Sequence, residues 1–475
     1  MEGVRVRLGF GEVESDGEGP VAVEDRVEAG VGGSGATTDE ELGALWCGAT
    51  EVFVDQSRRG SLKVVHQHGP CSHINQDQAS APTMTQILSH DQSRVASIQR
   101  RLGSKKARNR TRGSRATLQA NPFRQDGKFY VTVGLGTPKK DLSLILDTCS
   151  SLTWTQCEPC TKCFYQREPI FNPSESKSYR NITCNAPQCS QLTSATRVST
   201  DCSSATCTYG IQHRGDIEGD SSSVGSLGYE ELTITPSDIF PNFIFGCGRN
   251  NQGPFYSAAG LLGLSRDPLS AVSQTASKYG TYFSYCLPTP TGTGSLTFGK
   301  GGTTSKNIKF TPSPVNPKAP SFYFVDLIGI KVGGRRLPVS ESVFKTSGTI
   351  IDTGTVITRL PSAAYAALRT SFLESTKGSG FRNGEFSFLD TCYDYNMFDA
   401  VKIPTISFLF GGNIEVPVSE VGILYFHNLA KVCLAFAGNT DASDVSILGS
   451  LHQETLDVVY DIKGEQIGFG TGGCS

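Results

Sequence analysis

An apolar strand ending in Asp-Thr occurs twice in this chain, as LSLILDTCSSLTW around Asp147 and as GTIIDTGTVITRL around Asp352. Each copy is followed downstream by an apolar pair and a glycine: GLLGLS (Leu261, Leu262, Gly263) after the first, SILGS (Ile447, Leu448, Gly449) after the second. A single Asp-Thr after an apolar run says little. Two, each with its own apolar–apolar–Gly partner, predict a chain built from two related halves, each holding one carboxylate at a buried turn.

The rest of the sequence agrees with that constraint. Glycine (52) and proline (23) are frequent without any collagen-like period, which gives many turns between short apolar runs, a β signature. From Lys128 onward, KFYVTVGLG, LSLILDT, LTWTQ, LTIT, FIFGCG, YFVDLIGIKVGG, GTIIDT, ISFLF, VCLAFAG and LDVVYDIKGEQIGFG all read as strands. Helical spacing is clear over residues 84–102, with Ile87, Leu88, Val95, Ile98 and Leu102 on one stripe, and over 361–376, which opens with Pro-Ser. A mostly-β region of this length exceeds one ordinary sandwich, so two lobes are expected, with their junction near the Gly/Pro-rich residues 300–320. With 43 Lys+Arg against 45 Asp+Glu, the net charge of −2 gives no global attraction to nucleic acid or acidic lipid. No apolar run approaches the ~20 residues that span a bilayer.

Fifteen cysteines are unevenly spread: eight fall between Cys149 and Cys207. Cys157, Cys160 and Cys163 have the C-x-x-C-x-x-C spacing of a zinc or iron–sulfur site, but no histidine follows at ligand spacing. Disulfides in an oxidising compartment are the better reading, with no metal and no cofactor. The first 45 residues contradict that compartment, since their scattered acids and missing apolar core match neither a secretory signal nor a transit peptide. The expectation is that this start is not the natural one. Along the chain we expect an atypical disordered leader over 1–60 and a prosegment-like region over 61–120. An N-terminal lobe with a Cys-rich insertion should follow over 121–310, and a C-terminal lobe over 311–475. The 61–120 region contains a possible strand (61–66), the 84–102 helix and a run with eight basic residues in 100–115. That run reads as a protease-sensitive linker, or else as a nucleic-acid-binding tail.

Two carboxylates facing each other across a twofold relation cannot both ionise easily, so one pKa rises, the other falls, and the pair shares a proton. One can then act as general base on a water while the other protonates a carbonyl, which is peptide hydrolysis without metal, thiol or covalent intermediate.

At these residues the chain resembles a known family. YVTVGLGTP, ILDTCSSLTWTQCEPC, FIFGCGRNNQG, AGLLGLS, FSYCLP, IIDTGT, DTCYD, VCLAFAG and SILGSLHQETLDVVYD are similar to pepsin-type aspartic proteases of the plant nepenthesin-like group. Upstream, SLKVVHQHGPCS and ILSHDQSRV resemble the prosegment of apoplastic members and of the chloroplast nucleoid DNA-binding protease. The resemblance implies a mostly-β, bilobal pepsin-like fold with pseudo-twofold lobes and a central cleft. It implies Asp147 and Asp352 as the catalytic pair, and Thr148 and Thr353 as threonines locking the two loops together. Ser150 and Thr355 would be outer hydroxyls on the carboxylates, Gly354 would complete the second loop, and Trp154 would be the tryptophan behind the flap. Twelve cysteines (Cys157, Cys160, Cys163, Cys184, Cys189, Cys202, Cys207, Cys247, Cys286, Cys392, Cys433 and Cys474) resemble the group's six-disulfide complement.

Two departures stand out. Cys149 replaces the glycine of Asp-Thr-Gly in the first loop, where a Cβ and sulfur are expected to crowd water or twist the loop. The flap tyrosine position falls on His213 or Glu218, with Tyr209 too early. The expected function is therefore an acid aspartic endopeptidase made as a zymogen. The alternatives are a catalytically impaired binding protein on the same fold, or a nucleic-acid role for residues 100–115. Proteins or peptides are the expected partners, with pepstatin-like inhibitors, no membrane and a monomeric state. The expected location is extracellular (apoplast) or, alternatively, chloroplast, with a glycan at Asn181.

Overall fold

The computed structural model describes residues 60–67, 69, 72, 82–103, 127–196, 205–213, 221–253, 255, 257–378, 384–394, 402–428 and 431–474. Residues 1–59 of the expected leader, the basic run beyond Gly103, Cys202 and Glu218 lie outside them.

Strand formation follows from apolar alternation on a chain buried on both sides. Strands β2 (Phe129–Leu135) and β3 (Lys140–Asp147) form a hairpin in which Val131 faces Leu144 and Tyr130 faces Ile145. Leu142, Leu144 and Leu146 join the main core, whereas Ile145 packs on the other side with Tyr130 and Trp154. Both faces are thus covered, which explains the near-continuous apolar run before Asp147. Asp147 shares its strand face with Ile145, by the two-residue period.

The sequence repeat becomes a repeated crossing. In the first half, β8 (Gly260–Gly263) runs parallel to β3, placing Gly263 opposite Asp147, while β4 (Trp154–Gln156) returns antiparallel along β8. β4 in turn runs parallel to β7 (Asp238–Gln252), which pairs with the long strand β6 (Ser221–Thr235). Strand β5 (Thr208–His213) pairs with the start of β6. The second half repeats this arrangement. β13 (Ser446–Leu448) runs parallel to β11 (Thr349–Ile351), and β12 (Thr358–Leu360) returns along β13. The glycine closing each apolar pair has a steric reason. A Cβ at Gly263 would stand 2.9 Å from the Ser150 carbonyl oxygen, and one at Gly449 would stand 2.5 Å from that of Val356. In each half the loop after the aspartate crosses directly over that glycine.

A 14-stranded sheet joins the halves. Within it β14 (Leu456–Asp461) pairs back onto β9 (Tyr282–Cys286) of the first half, and β15 (Gln466–Thr471) pairs with β14. Strand β1 (Ser61–His66) lies between β10 (Thr293–Phe298) and β2, so the segment expected as a prosegment contributes a strand to the sheet. The expected helix forms as α1 (Met84–Arg101), closed at its start by a capping box. The Gln86 amide donates to the Thr83 hydroxyl at 3.1 Å, and the Thr83 amide to the Gln86 side chain at 2.8 Å. Its apolar stripe divides. Met84, Ile87 and Leu88 pack with Val356, Ile357 and Tyr425, whereas Val95 and Ile98 pack with Cys149, Phe322 and Ile350. The second expected helix forms as α2 (Ser362–Ser375).

The C-x-x-C-x-x-C run is spent on disulfides rather than metal: Cys157 bonds Cys247 and Cys160 bonds Cys163. Cys189–Cys207, Cys286–Cys474 and Cys392–Cys433 also form, and Cys184 is disulfide-bonded. Cys149 is a free, buried thiol.

Candidate active site

The two Asp-Thr turns meet back to back. The Thr148 amide donates to the Thr353 hydroxyl and the Thr353 amide to the Thr148 hydroxyl, both at 3.1 Å, while the Thr353 hydroxyl donates to the Leu146 carbonyl at 3.0 Å. These buried reciprocal bonds hold the loops in register across the pseudo-twofold relation. Each carboxylate has matching local donors. Asp147 accepts from the Ser150 hydroxyl (2.9 Å) and the Cys149 amide (2.9 Å), and Asp352 from the Thr355 hydroxyl (2.5 Å) and the Gly354 amide (3.1 Å). Asp147, Thr148, Asp352, Thr353 and Thr355 are all buried.

A guanidinium sits between the two carboxylates. From α1, Arg94 Nη1 and Nη2 donate to Asp147 at 2.9 and 2.8 Å, and Nε and Nη2 donate to Asp352 at 2.8 Å each. Because Asp147 Oδ1 and Asp352 Oδ1 each lie 2.8 Å from the same Nη2, they stand no farther apart than twice that length. Burial works against ionising Asp352, but Arg94, Thr355 and Gly354 outweigh it and hold its carboxyl well below the usual range. Gly354 makes room for this cation, since a Cβ there would overlap the Arg94 guanidinium.

Neighbouring contacts extend the seal. Asp91, one turn before Arg94, accepts from the Val356 amide (2.5 Å) and from Arg359 Nη2 (2.8 Å). Gln99 exchanges two hydrogen bonds with the Val445 backbone, at 2.7 and 2.9 Å. Lys128 donates to the Gly354 carbonyl (2.9 Å) and Arg101 to the Cys149 carbonyl (3.1 Å). The 100–115 run is the densest source of cations near this helix. Of its described members, Arg101 donates to that carbonyl and lies over the Phe322 ring, 4.6 Å from its centroid, while the carboxylates are met by Arg94. Residue type alone does not single out Arg94, because a lone arginine on an amphipathic helix reads as solvated. The available signal was its place, four residues before Ile98 and three after Asp91, on the stripe that packs inward.

At Cys149 the expected distortion is not found. Its amide bonds to Asp147 as that of Gly354 does to Asp352, and its φ is not in the left-handed region. The side chain is accommodated among Val95, Ile98, Phe322 and Ile350, and burial pushes the thiol pKa well up, so it is not poised as a nucleophile. Trp154 is buried with Tyr209 and meets Phe255 edge-on at 4.9 Å. The Tyr209 and Ser223 hydroxyls lie 2.7 Å apart. His213 is the last residue of β5, opposite Ser221, on the hairpin expected to form the flap. Asn181 is exposed, and its side-chain oxygen accepts from the Tyr179 hydroxyl at 2.7 Å.

Known proteins share this chain's sequence and fold. The families described as xylanase inhibitor N-terminal and xylanase inhibitor C-terminal match residues 129–300 and 322–471. The chain is 48% identical over 423 residues to an aspartyl protease family protein of Arabidopsis thaliana, covering 88% of each. It is 35% identical over 371 residues to aspartic proteinase nepenthesin-1 of Nepenthes gracilis, covering 75% of this chain and 80% of that one. Among solved structures, soybean basic 7S globulin superposes with a TM-score of 0.56 at 21% identity, over 72% of this chain and 91% of that one, a likeness of fold alone.

Proposed function

The chain belongs to the plant pepsin-type aspartic proteases, and on that footing we propose that it is an acid endopeptidase held by α1 in an inhibited, zymogen state. The observation that carries this reading is Arg94 between Asp147 and Asp352. A guanidinium held by four hydrogen bonds needs two carboxylates at one point, the requirement of a proton-sharing dyad. With α1 gone, like charge would leave one aspartate protonated and the other ionised. The ionised one takes a proton from a water that attacks the peptide carbonyl, and the protonated one gives its proton to the carbonyl oxygen. Thr148 and Thr353 keep the loops apposed, and Ser150 and Thr355 orient the carboxylates. Trp154 and the β5–β6 hairpin, including His213, border the substrate.

The substrates are proteins or peptides, and pepstatin-like inhibitors compete for the cleft. The disulfides suit a secreted enzyme, in which Asn181 of Asn-Ile-Thr is a glycan acceptor. In the 61–120 prosegment, the residues beyond Gly103 contain the processing site. The undistorted loop at Cys149 favours an enzyme over an impaired binding protein. Cleavage of a denatured protein at pH 3–5, abolished by pepstatin, is the expected result. A correctly folded, acid-treated chain that neither cleaves nor binds pepstatin would overturn the proposal.

A further inference from the structure

Trp154 and Arg359 occupy the same place in the two halves. Each lies seven residues after its aspartate, and each pairs with the first apolar residue of the strand it returns along, Trp154 with Leu261 on β8 and Arg359 with Ile447 on β13. Where the first half has an indole, the second has a guanidinium. Arg359 is only 3% exposed, and Asp91 and Gln92 of α1 are among the groups it meets. Its Nη2 donates to Asp91 (2.8 Å) and to Gln92 (3.2 Å), and its guanidinium lies 3.9 Å from the centre of the Phe388 ring. Nη1 is buried with no hydrogen-bond partner among the described residues. Asp91 is the only carboxylate bridging to Arg359 among those residues. Release of α1 therefore leaves a recessed cation without its counter-charge, beside a Val356 amide that has lost its acceptor. A buried charge in that condition is costly until a new anion arrives. Asp91 precedes Arg94 by three residues, a rise of ~4.5 Å in a helix, which an extended peptide covers in one or two residues at ~3.3 Å each.

We propose that Arg359 and the Val356 amide form a subsite of the activated enzyme that takes an aspartate or glutamate side chain of the substrate, one or two residues from the scissile bond. Asp91 fills this subsite in the uncut chain. The inference rests on the proteolytic reading above, and its test separates the two. Acid-activated full-length protein is assayed at pH 5, where glutamate is mostly ionised, against peptide pairs differing only by Glu or Gln at each position flanking the cut. At one position Glu is favoured at least about tenfold in kcat/KM. Arg359→Gln brings that ratio to about one while cleavage of the Gln peptide stays within about threefold, and Arg359→Lys keeps a reduced preference. No preference in the natural protein, an unchanged preference in Arg359→Gln, or an equal loss on both peptides would overturn the subsite. If no peptide is cut, the proteolytic reading fails on its own. Fluorescence anisotropy of the same labelled peptides on the acid-opened chain then decides the subsite. Glu bound over Gln, lost in Arg359→Gln, keeps it; equal or no binding discards it.

Discussion

Replacing Arg94 by alanine tests how α1 silences the site. The substitution deletes four charge-assisted hydrogen bonds of 2.8–2.9 Å and leaves two buried carboxylates facing each other. Breaking a buried pair by removing one partner costs about 3–5 kcal/mol. Part of that returns when the freed dyad takes up one proton, so about 3 kcal/mol is a fair expectation for weakened docking of α1. At ~1.4 kcal/mol per factor of ten, opening becomes more favourable by about a hundredfold. The assay is binding of a fluorescent pepstatin-type inhibitor to the full-length chain at pH 5, with gel electrophoresis confirming that it is uncut. Arg94→Ala should bind at least about a hundredfold more tightly than the natural protein. Equal affinity in both, with the variant folded, would refute the reasoning and move the hold on α1 to Asp91, Gln99 and the apolar stripe.

His90 on α1 has its pKa lowered to about 4 by burial and, secondarily, by Lys128. The released helix takes a proton that the docked one refuses, so docking loses up to about 3 kcal/mol between pH 6.5 and 4, and His90→Gln should move activation to lower pH. Asp352, held ionised chiefly by Arg94 against burial, adds a second loss as pH falls, because the freed dyad takes up a proton that the docked pair does not. Thr353→Val removes the hydroxyl that accepts from Thr148 and donates to Leu146, and should lower stability by about 1–3 kcal/mol in thermal unfolding. Cys149→Gly should change turnover less than about threefold, because the loop already bonds Asp147 normally, and should cost about 1 kcal/mol of stability through lost packing. A tenfold rise in its turnover would show that the thiol does obstruct the site.

Much of this site could be read from the sequence because its two halves repeat. Asp147 and Asp352 stand out through their apolar–apolar–Gly partners, and the structure gives those glycines a steric cause in the backbone crossing at Ser150 and Val356. Helix α1 was legible from its period, since an amphipathic stripe survives whatever it packs on. Its function was not. Arg94 and Asp91 gain meaning only when α1 docks on loops far along the chain, and a dense basic run nearby offered a more visible source of cations. The equivalence of Trp154 and Arg359 was present as a shared spacing from each aspartate, but an indole and a guanidinium invite no comparison by residue type, and sheet register supplies it. At Cys149 the sequence exaggerated the disturbance, since the glycine it replaces is not needed for positive φ at this position.

The central claim is that Asp147 and Asp352 together hydrolyse peptide bonds once α1 has left. It is tested most directly by single-turnover peptide cleavage at acid pH, comparing the activated natural protein with Asp147→Asn and Asp352→Asn. The account predicts that each variant folds, binds the peptide within about tenfold of the natural protein, and cleaves at least about a thousandfold more slowly, a barrier rise of about 4 kcal/mol. Cleavage by either variant at the natural rate would contradict it.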